Sequence, residues 1–125
     1  MKRILAIIGT YRKNHVTDNI VDEMFKELSL FGVETKKIYL LDKDIKFCTN
    51  CRACTQVEGT VRGKCVIHDD MESILNEVEL CDGIILVSPV NFFNVTAITR
   101  RFMERTLTFA FWPWGARKAP TLRNK

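Results

Sequence analysis

Two stretches of the chain are apolar at consecutive positions for the length of a strand and no longer: Ile4 to Ile8 in "RILAIIGT", and Ile84 to Val87 in "GIILVSPV". A run of this kind suits a strand buried on both faces of a parallel sheet, because neither side of the pleat meets water. Gly9 ends the first run and Ser88-Pro89 the second.

Helical periodicity follows each run. In "TDNIVDEMFKELSLFG", Ile20, Val21, Met24, Phe25 and Leu28 share one stripe, with Thr17 expected as the N-cap and Gly32 as the C′ stop. "VETKKIYLL" reads as a second strand, less apolar and so nearer a sheet edge. "DDMESILNEVEL" places Met71, Ile74, Leu75 and Val78 on one face, and Asp69 with Glu72 resembles a capping box. "VTAITRRFMERTLTF" predicts a third helix with Ile98, Phe102 and Met103 facing inward.

Strand and helix therefore alternate, which argues for an α/β fold built of right-handed crossovers. With the first and third strands the most apolar, the expected architecture is a flavodoxin-like doubly wound parallel sheet of order 2-1-3-4-5. Its ligand belongs at the carboxyl ends of the first and third strands, where the winding reverses. After the third helix only "GARKAPTLRNK" remains. The expectation is one domain over residues 1–125 that lacks the C-terminal strands, leaving an apolar third strand at the edge. A fragment of a longer product is preferred to completion by a partner.

At 125 residues and 46% hydrophobic, the chain is sized for one packed core. The apolar run after "MKR" is too short for an export signal, and no stretch reaches the ~18 apolar residues of a membrane helix. Five cysteines, an odd number, fit a reducing cytoplasm without structural disulfides. The net charge of +4 arises wholly from Arg117, Lys118, Arg123 and Lys125, since residues 1–114 hold 15 basic and 15 acidic side chains. A neutral body with a short basic end is no nucleic-acid footprint.

Two loops leave the ends of the apolar strands. "GTYRKNHVTDN" is polar, carries hydroxyls at Thr10 and Thr17 and a guanidinium at Arg12, and enters a helix N-terminus, which suits a phosphate dianion. Its glycine content matches neither a Walker A loop nor G-x-G-x-x-G. "SPVNFFNVT" offers a stiffening Pro89, hydrogen-bonding groups at Asn91, and rings at Phe92 and Phe93 that can cover a planar heterocycle. Each is also readable as an ordinary loop; together they point to a phosphorylated flavin.

With "CTNCRAC…GKCVIHDDM" added to these two loops, the sequence resembles the NAD(P)H-dependent FMN reductases and iron-sulfur flavoproteins of the flavodoxin-like superfamily, from Met1 to about Thr108. The resemblance implies an FMN phosphate held by Thr10, Arg12, His15, Val16 and Thr17, and an isoalloxazine near Pro89, Val90, Asn91, Phe92 and Phe93. It also implies a homo-oligomer that completes the flavin pocket. His15-Val16 replaces the usual Ser-Asn, Tyr11 a common Pro, and Asn91 a frequent aromatic.

Cys48, Cys51 and Cys54 are spaced C-x2-C-x2-C, and Cys65 follows after a gap of ten residues. Three thiolates so spaced can share a small volume, as a [4Fe–4S] cluster requires, with Cys65 as the fourth ligand. Free thiols, a cluster and zinc, in that order of preference, are the readings left open. Arg52, Arg62 and Lys64 are positioned in sequence to lower thiol pKa values. Cys81 is expected in the core and His68 on the surface. Asp69 and Asp70 stand in the wrong place for a receiver-domain pocket and are read as caps. "FAFWPWG", with Phe109, Phe111, Trp112 and Trp114, is expected as core or subunit interface, with the lining of a nicotinamide or acceptor pocket as the alternative.

The function expected is an FMN oxidoreductase that takes hydride from NADH or NADPH and reduces a flavin, a quinone or another small acceptor. The cofactor carries that chemistry, so no catalytic side chain is demanded. The alternative is an electron-transfer protein with FMN and a [4Fe–4S] cluster but no NAD(P)H activity. A flavin-free binding domain is the third option.

Overall fold

A computed structural model describes residues 1–56, 61–110 and Leu122. Its sheet has three parallel strands in the order β2-β1-β3: β1 Arg3–Ile8, β2 Glu34–Tyr39 and β3 Gly83–Val87. Ile4 aligns with both Thr35 and Gly83, and Ile8 with Tyr39 and Val87, so β1 is paired along both edges. Its alternate side chains feed two cores. Leu5 and Ile7 pack with Ile38, Met71, Ile74, Leu75, Val78 and Phe102; Ala6 and Ile8 pack with Val21, Phe25 and Val87. That division explains the apolar run: each residue from Leu5 to Ile8 faces a buried layer.

Helix α1, Val16–Ser29, covers the second core, while α2, Met71–Leu80, and α3, Ala97–Arg105, cover the first. The chain thus winds from β1 through α1 to β2 on one side of β1, and from β2 through α2 to β3 on the other. The reversal lies between the ends of β1 and β3, where the Gly9 N–H donates to Val87 O at 2.8 Å.

The inward set of α2 and the core placement of Cys81 match the sequence reading. Gly32 stops α1 as expected: at φ +69 it lets its own N–H reach Ser29 O at 3.1 Å and the Val33 N–H reach Leu28 O at 3.4 Å, a Schellman closure. Other expectations are corrected. The N-cap position of α1 is His15, with no side-chain cap, rather than Thr17. Ile20 and Met24 are 51% and 40% exposed, so only part of the predicted stripe is buried.

The third helix is shorter than the pattern implied. Val95 belongs to a hairpin (β4 Val90–Asn91, β5 Asn94–Val95), Thr96 caps α3 by accepting from the Thr99 N–H, and Thr106–Phe109 tighten into a 3-10 turn. Met103 is solvent-facing, and Arg105 takes the inward place. β3 is half-buried rather than strongly buried, with Leu86 45% exposed, and among the described residues its outer edge has no strand neighbour. Phe109 packs against the first core; Phe111, Trp112 and Trp114 lie outside the described residues. No helix among those residues is long and apolar enough to cross a membrane.

Candidate flavin cradle and cysteine segment

The loops after β1 and β3 are physically joined. Thr96 Oγ1 donates to Gly9 O at 2.6 Å and is itself 2.7 Å from Thr99 Oγ1. The Ile98 N–H reaches Tyr11 OH at 3.4 Å, tying the first loop to the start of α3. Ser88 Oγ accepts from the Thr96 N–H at 3.0 Å and donates to Pro89 O at 2.9 Å, fixing the second loop from within.

The first loop opens towards solvent. Arg12, His15 and Val16 are exposed and Thr17 is half-buried. His15 at the N-cap makes no side-chain cap, so among the described residues the first-turn amides of α1 are left for an external acceptor, as a bound phosphate would be. Thr10 behaves differently from the expectation. It is buried, and its hydroxyl accepts from the Arg12 N–H at 3.1 Å and donates to Arg12 O at 3.2 Å, so it shapes the loop from inside.

The second loop is a hairpin that the sequence reading missed. Phe92 and Phe93 form its two-residue tip at φ 48 and 63, the left-handed pair for which glycine or asparagine is the usual choice. Their side chains are 93% and 94% exposed, with ring centroids 5.8 Å apart. Val90 and Asn91 are exposed as well, and Pro89 is half-buried. Strain and apolar exposure at one tip mark a segment shaped for contact.

Beneath the first loop lies a buried carboxylate, also missed. The Asp18 side chain is fully buried and accepts from the Asn14 N–H at 2.8 Å, Lys37 Nζ at 2.6 Å and Tyr39 OH at 2.8 Å. The bond to Asn14 pins the loop where its backbone turns through φ 60. The sequence signal was its place on the inward stripe of Val21 and Phe25. Burial alone would raise the Asp18 carboxyl, but the Lys37 hydrogen bond, then those of Asn14 and Tyr39, outweigh it and hold it below the ordinary 3.8.

A depressed carboxylate stabilises the fold above its unfolded pKa, and that stability is lost as pH falls through the folded value. Asp18→Asn is therefore expected to cost about 2–3 kcal/mol near neutral pH, because Lys37 keeps Asp22 as a partner at 2.5 Å. The difference from wild type should shrink towards zero as the medium is acidified below 3.8. Urea unfolding across that range checks it; a pH-independent difference would contradict the ion-pair account.

The cysteine segment lies between Lys46 and Asp69. Cys48, Cys54 and Cys65 are half-buried, Cys51 is exposed, and all four are free thiols. Asn50 and Arg52 adopt φ 56 and 61, turning the backbone so that the Asn50 N–H donates to Cys48 Sγ at 3.4 Å; the Ile67 N–H reaches Cys65 Sγ at 3.4 Å. Backbone turns of this kind make concavities for anions and clusters.

Gly63 brings the arm carrying Cys65 against Cys54: a Cβ at that glycine would fall 1.6 Å from Cys54 O. The Cys54 thiol is pushed up, first by burial and then by Cys65, Cys48 and Cys51. That corrects, for Cys54, the expected lowering by nearby basic residues. Arg62 is engaged elsewhere, with Glu72 at 3.1 Å and Glu79 at 3.3 Å.

Glu72 is thereby taken from the expected capping box. The N-cap position of α2 is Asp70, with no side-chain cap; Asp69, one residue earlier, accepts the Met71 N–H at 3.0 Å, and Asp70 accepts the Asp44 N–H at 2.8 Å. Among the described residues no three His, Cys, Asp or Glu side chains are arranged to hold a single metal ion. Amide donors are aimed at two of the sulfurs, Cys48 and Cys65, which suits thiolate ligands. His68 is exposed, as expected. A cleft of about 760 Å³ adjoins the segment, lined by Cys48, Arg52, Met103, Leu107 and Phe109 among others.

The chain is similar to proteins described as iron-sulfur flavoproteins. An iron-sulfur flavoprotein of Archaeoglobus fulgidus is 37% identical over 123 residues, covering 98% of this chain and 50% of that protein. Another, from Methanocaldococcus jannaschii, is 36% identical over 104 residues, covering 83% of this chain and 51% of the relative. The chain thus spans about half the length of these relatives. In fold it resembles RosB, solved with 8-demethyl-8-formylriboflavin-5'-phosphate, at a TM-score of 0.63 and 14% identity over 84% of this chain and 42% of that one. Residues 2–125 match the family described as NADPH-dependent FMN reductase, and the chain belongs to that flavodoxin-like family of flavin oxidoreductases.

Proposed function

We propose that this chain is the flavin-binding part of an oxidoreductase that takes hydride from NADH or NADPH. The observation that carries the reading is the junction between the two strand-end loops, made by Thr96 on Gly9 O and Ile98 on Tyr11 OH. It turns two separate turns into one cradle at the winding reversal.

When bound, FMN supplies the hydride and electron transfer. The chain's part is to bind and orient. First-turn amides of α1, with the Thr17 hydroxyl and the Arg12 guanidinium, hold the phosphate; Thr10 and Asp18 keep that loop in shape. Backbone groups from Pro89 to Asn91 would meet the ring edge, and Phe92 and Phe93 would cover its face. No side chain is needed as acid or base. The acceptor is a free flavin, a quinone or another small molecule.

Cys48, Cys51, Cys54 and Cys65 would hold a [4Fe–4S] cluster, a reading supported by the iron-sulfur flavoproteins among the relatives and by the amide donors at Cys48 and Cys65. Free thiols fit a reducing cytoplasm. The exposed Val90, Phe92 and Phe93 offer apolar area that a second copy would cover in a homo-oligomer. The open side of β3, with a cleft of about 510 Å³ between Ile4, Met24, Leu28 and Ile84, is where further strands and helices of a five-stranded sheet would dock.

Anaerobic purification with an absorption spectrum and iron analysis tests cofactor content, and titration with FMN tests affinity. Equimolar quenching of FMN fluorescence is expected, followed by bleaching of the bound flavin on addition of NADPH. Bound flavin that does not bleach would favour the electron-transfer reading; no quenching would remove the flavin reading altogether.

A further inference from the structure

Arg105 is 3% exposed on a helix whose other buried residues, Thr99 and Phe102, are uncharged, and its Nε has no hydrogen-bond partner among the described residues. A buried guanidinium with an orphan donor is an expensive feature, and its remaining contacts show what it does. Nη1 donates to Asp69 Oδ2 at 2.6 Å and to Lys46 O at 2.9 Å; Nη2 donates to Asp69 Oδ1 at 3.1 Å and to Cys65 Sγ at 3.6 Å. Asp69 Oδ2 also accepts the Lys46 N–H at 2.8 Å.

The bidentate pair therefore locks the guanidinium plane, ties together the two feet of the segment carrying all four site cysteines, and leaves one Nη2–H directed at the Cys65 sulfur. The Asp69 side chain is itself fully buried, so solvent does not compete for the fork.

We propose that Arg105, oriented by Asp69, is a positioning residue that holds Cys65 and raises the reduction potential of the cluster bound there; this rests on the cluster reading above. An added electron places one more negative charge on the cluster and its thiolates. A donor fixed on one ligand sulfur favours that reduced state, and hydrogen bonds to sulfur are among the levers that set cluster potentials.

The test uses the holoprotein with iron and FMN quantified per chain. Cluster and flavin midpoints are read in a dithionite titration followed by electron paramagnetic resonance and visible absorption. Arg105→Lys keeps the charge but not the fork; Arg105→Gln/Asp69→Asn removes both charges together, so that no buried ion is stranded. Lys26→Gln, on exposed α1, controls for loss of a positive charge.

The double variant is expected to make cluster reduction about tenfold less favourable, a fall of about 59 mV for one electron. Arg105→Lys should shift the same way by less, and the flavin midpoint should stay put. If the double variant fails to retain iron, Arg105→Lys decides alone. Wild-type midpoints in variants that keep their iron would overturn the assignment and leave the cluster standing. Loss of iron from both variants with FMN retained would also overturn it, since the pair would then serve only to form the segment. A wild-type protein that takes up no iron on reconstitution would remove the cluster reading and this assignment with it.

Discussion

Gly63→Ala is expected to strip most of the iron from the protein while leaving FMN bound. An added Cβ would sit 1.6 Å from Cys54 O and 2.7 Å from its carbonyl carbon. Those are backbone atoms, so no rotamer change relieves the overlap. Gly63 is held from the other side as well, its N–H donating to Thr108 O at 2.8 Å. The methyl must therefore drive the arm carrying Cys65 away from the Cys48–Cys54 turn.

Overpacking of this kind costs about 1–3 kcal/mol or more, and here it is concentrated on the spacing between the sulfurs proposed as ligands. Among the described residues the flavin cradle shares no hydrogen bond with Gly63, which predicts the separation of the two cofactors. Iron and FMN assays on the same preparation check it. A variant with wild-type iron would mean that the arm does not supply the fourth ligand; one that loses both cofactors together would mean that the segment and the cradle form a single cooperative unit.

The parts of this molecule that were legible in the sequence share one property: they depend on burial repeating at a fixed period. β1 reads as a central strand because each of Leu5 to Ile8 meets a packed layer, and α2 because Met71, Ile74, Leu75 and Val78 return to one face. The parts that were missed turn on single polar side chains taking inward places. Asp18 lies on the stripe of Val21 and Phe25, and Arg105 on that of Ile98 and Phe102, yet a pattern built from apolar residues skips both.

Their partners are distant in sequence, Lys37 and Tyr39 for one and Asp69 for the other, so no local window connects them. The Phe92-Phe93 tip escaped for a different reason. Two phenylalanines are poor turn formers, and only the flanking Asn91 and Asn94 hinted at a hairpin. At the site itself, the loops could be assigned from strand order alone, because the winding reversal brings the ends of β1 and β3 together whatever the loop sequence. Which atoms face a ligand could not be so assigned: Thr10 turned inward to hold its own loop.

The junction that makes one cradle of two loops can be broken by a single methyl group. Gly9→Ala would place a Cβ 1.7 Å from Thr99 Oγ1, 3.0 Å from Thr99 Cβ and 3.2 Å from Thr96 Oγ1. Thr96 commits its hydroxyl proton to Gly9 O, so Thr99 must be the donor in the 2.7 Å contact between the two threonines. Turning the Thr99 hydroxyl aside loses that bond and still leaves its Cβ too close. The start of α3 then has to move off the end of β1, and the Thr96 cap goes with it.

Overpacking plus a lost cap sum to about 3 kcal/mol, a fall in Tm on the order of 10 °C. FMN affinity should drop more steeply than stability implies, because the two loops no longer keep their spacing. Gly9→Ala/Thr99→Ala removes the nearest atom and should restore part of both losses. Differential scanning fluorimetry and FMN titration of the three proteins check the argument. Wild-type FMN affinity in Gly9→Ala would show that the loops bind without being coupled, and that the hydrogen bonds at the winding reversal are structural only.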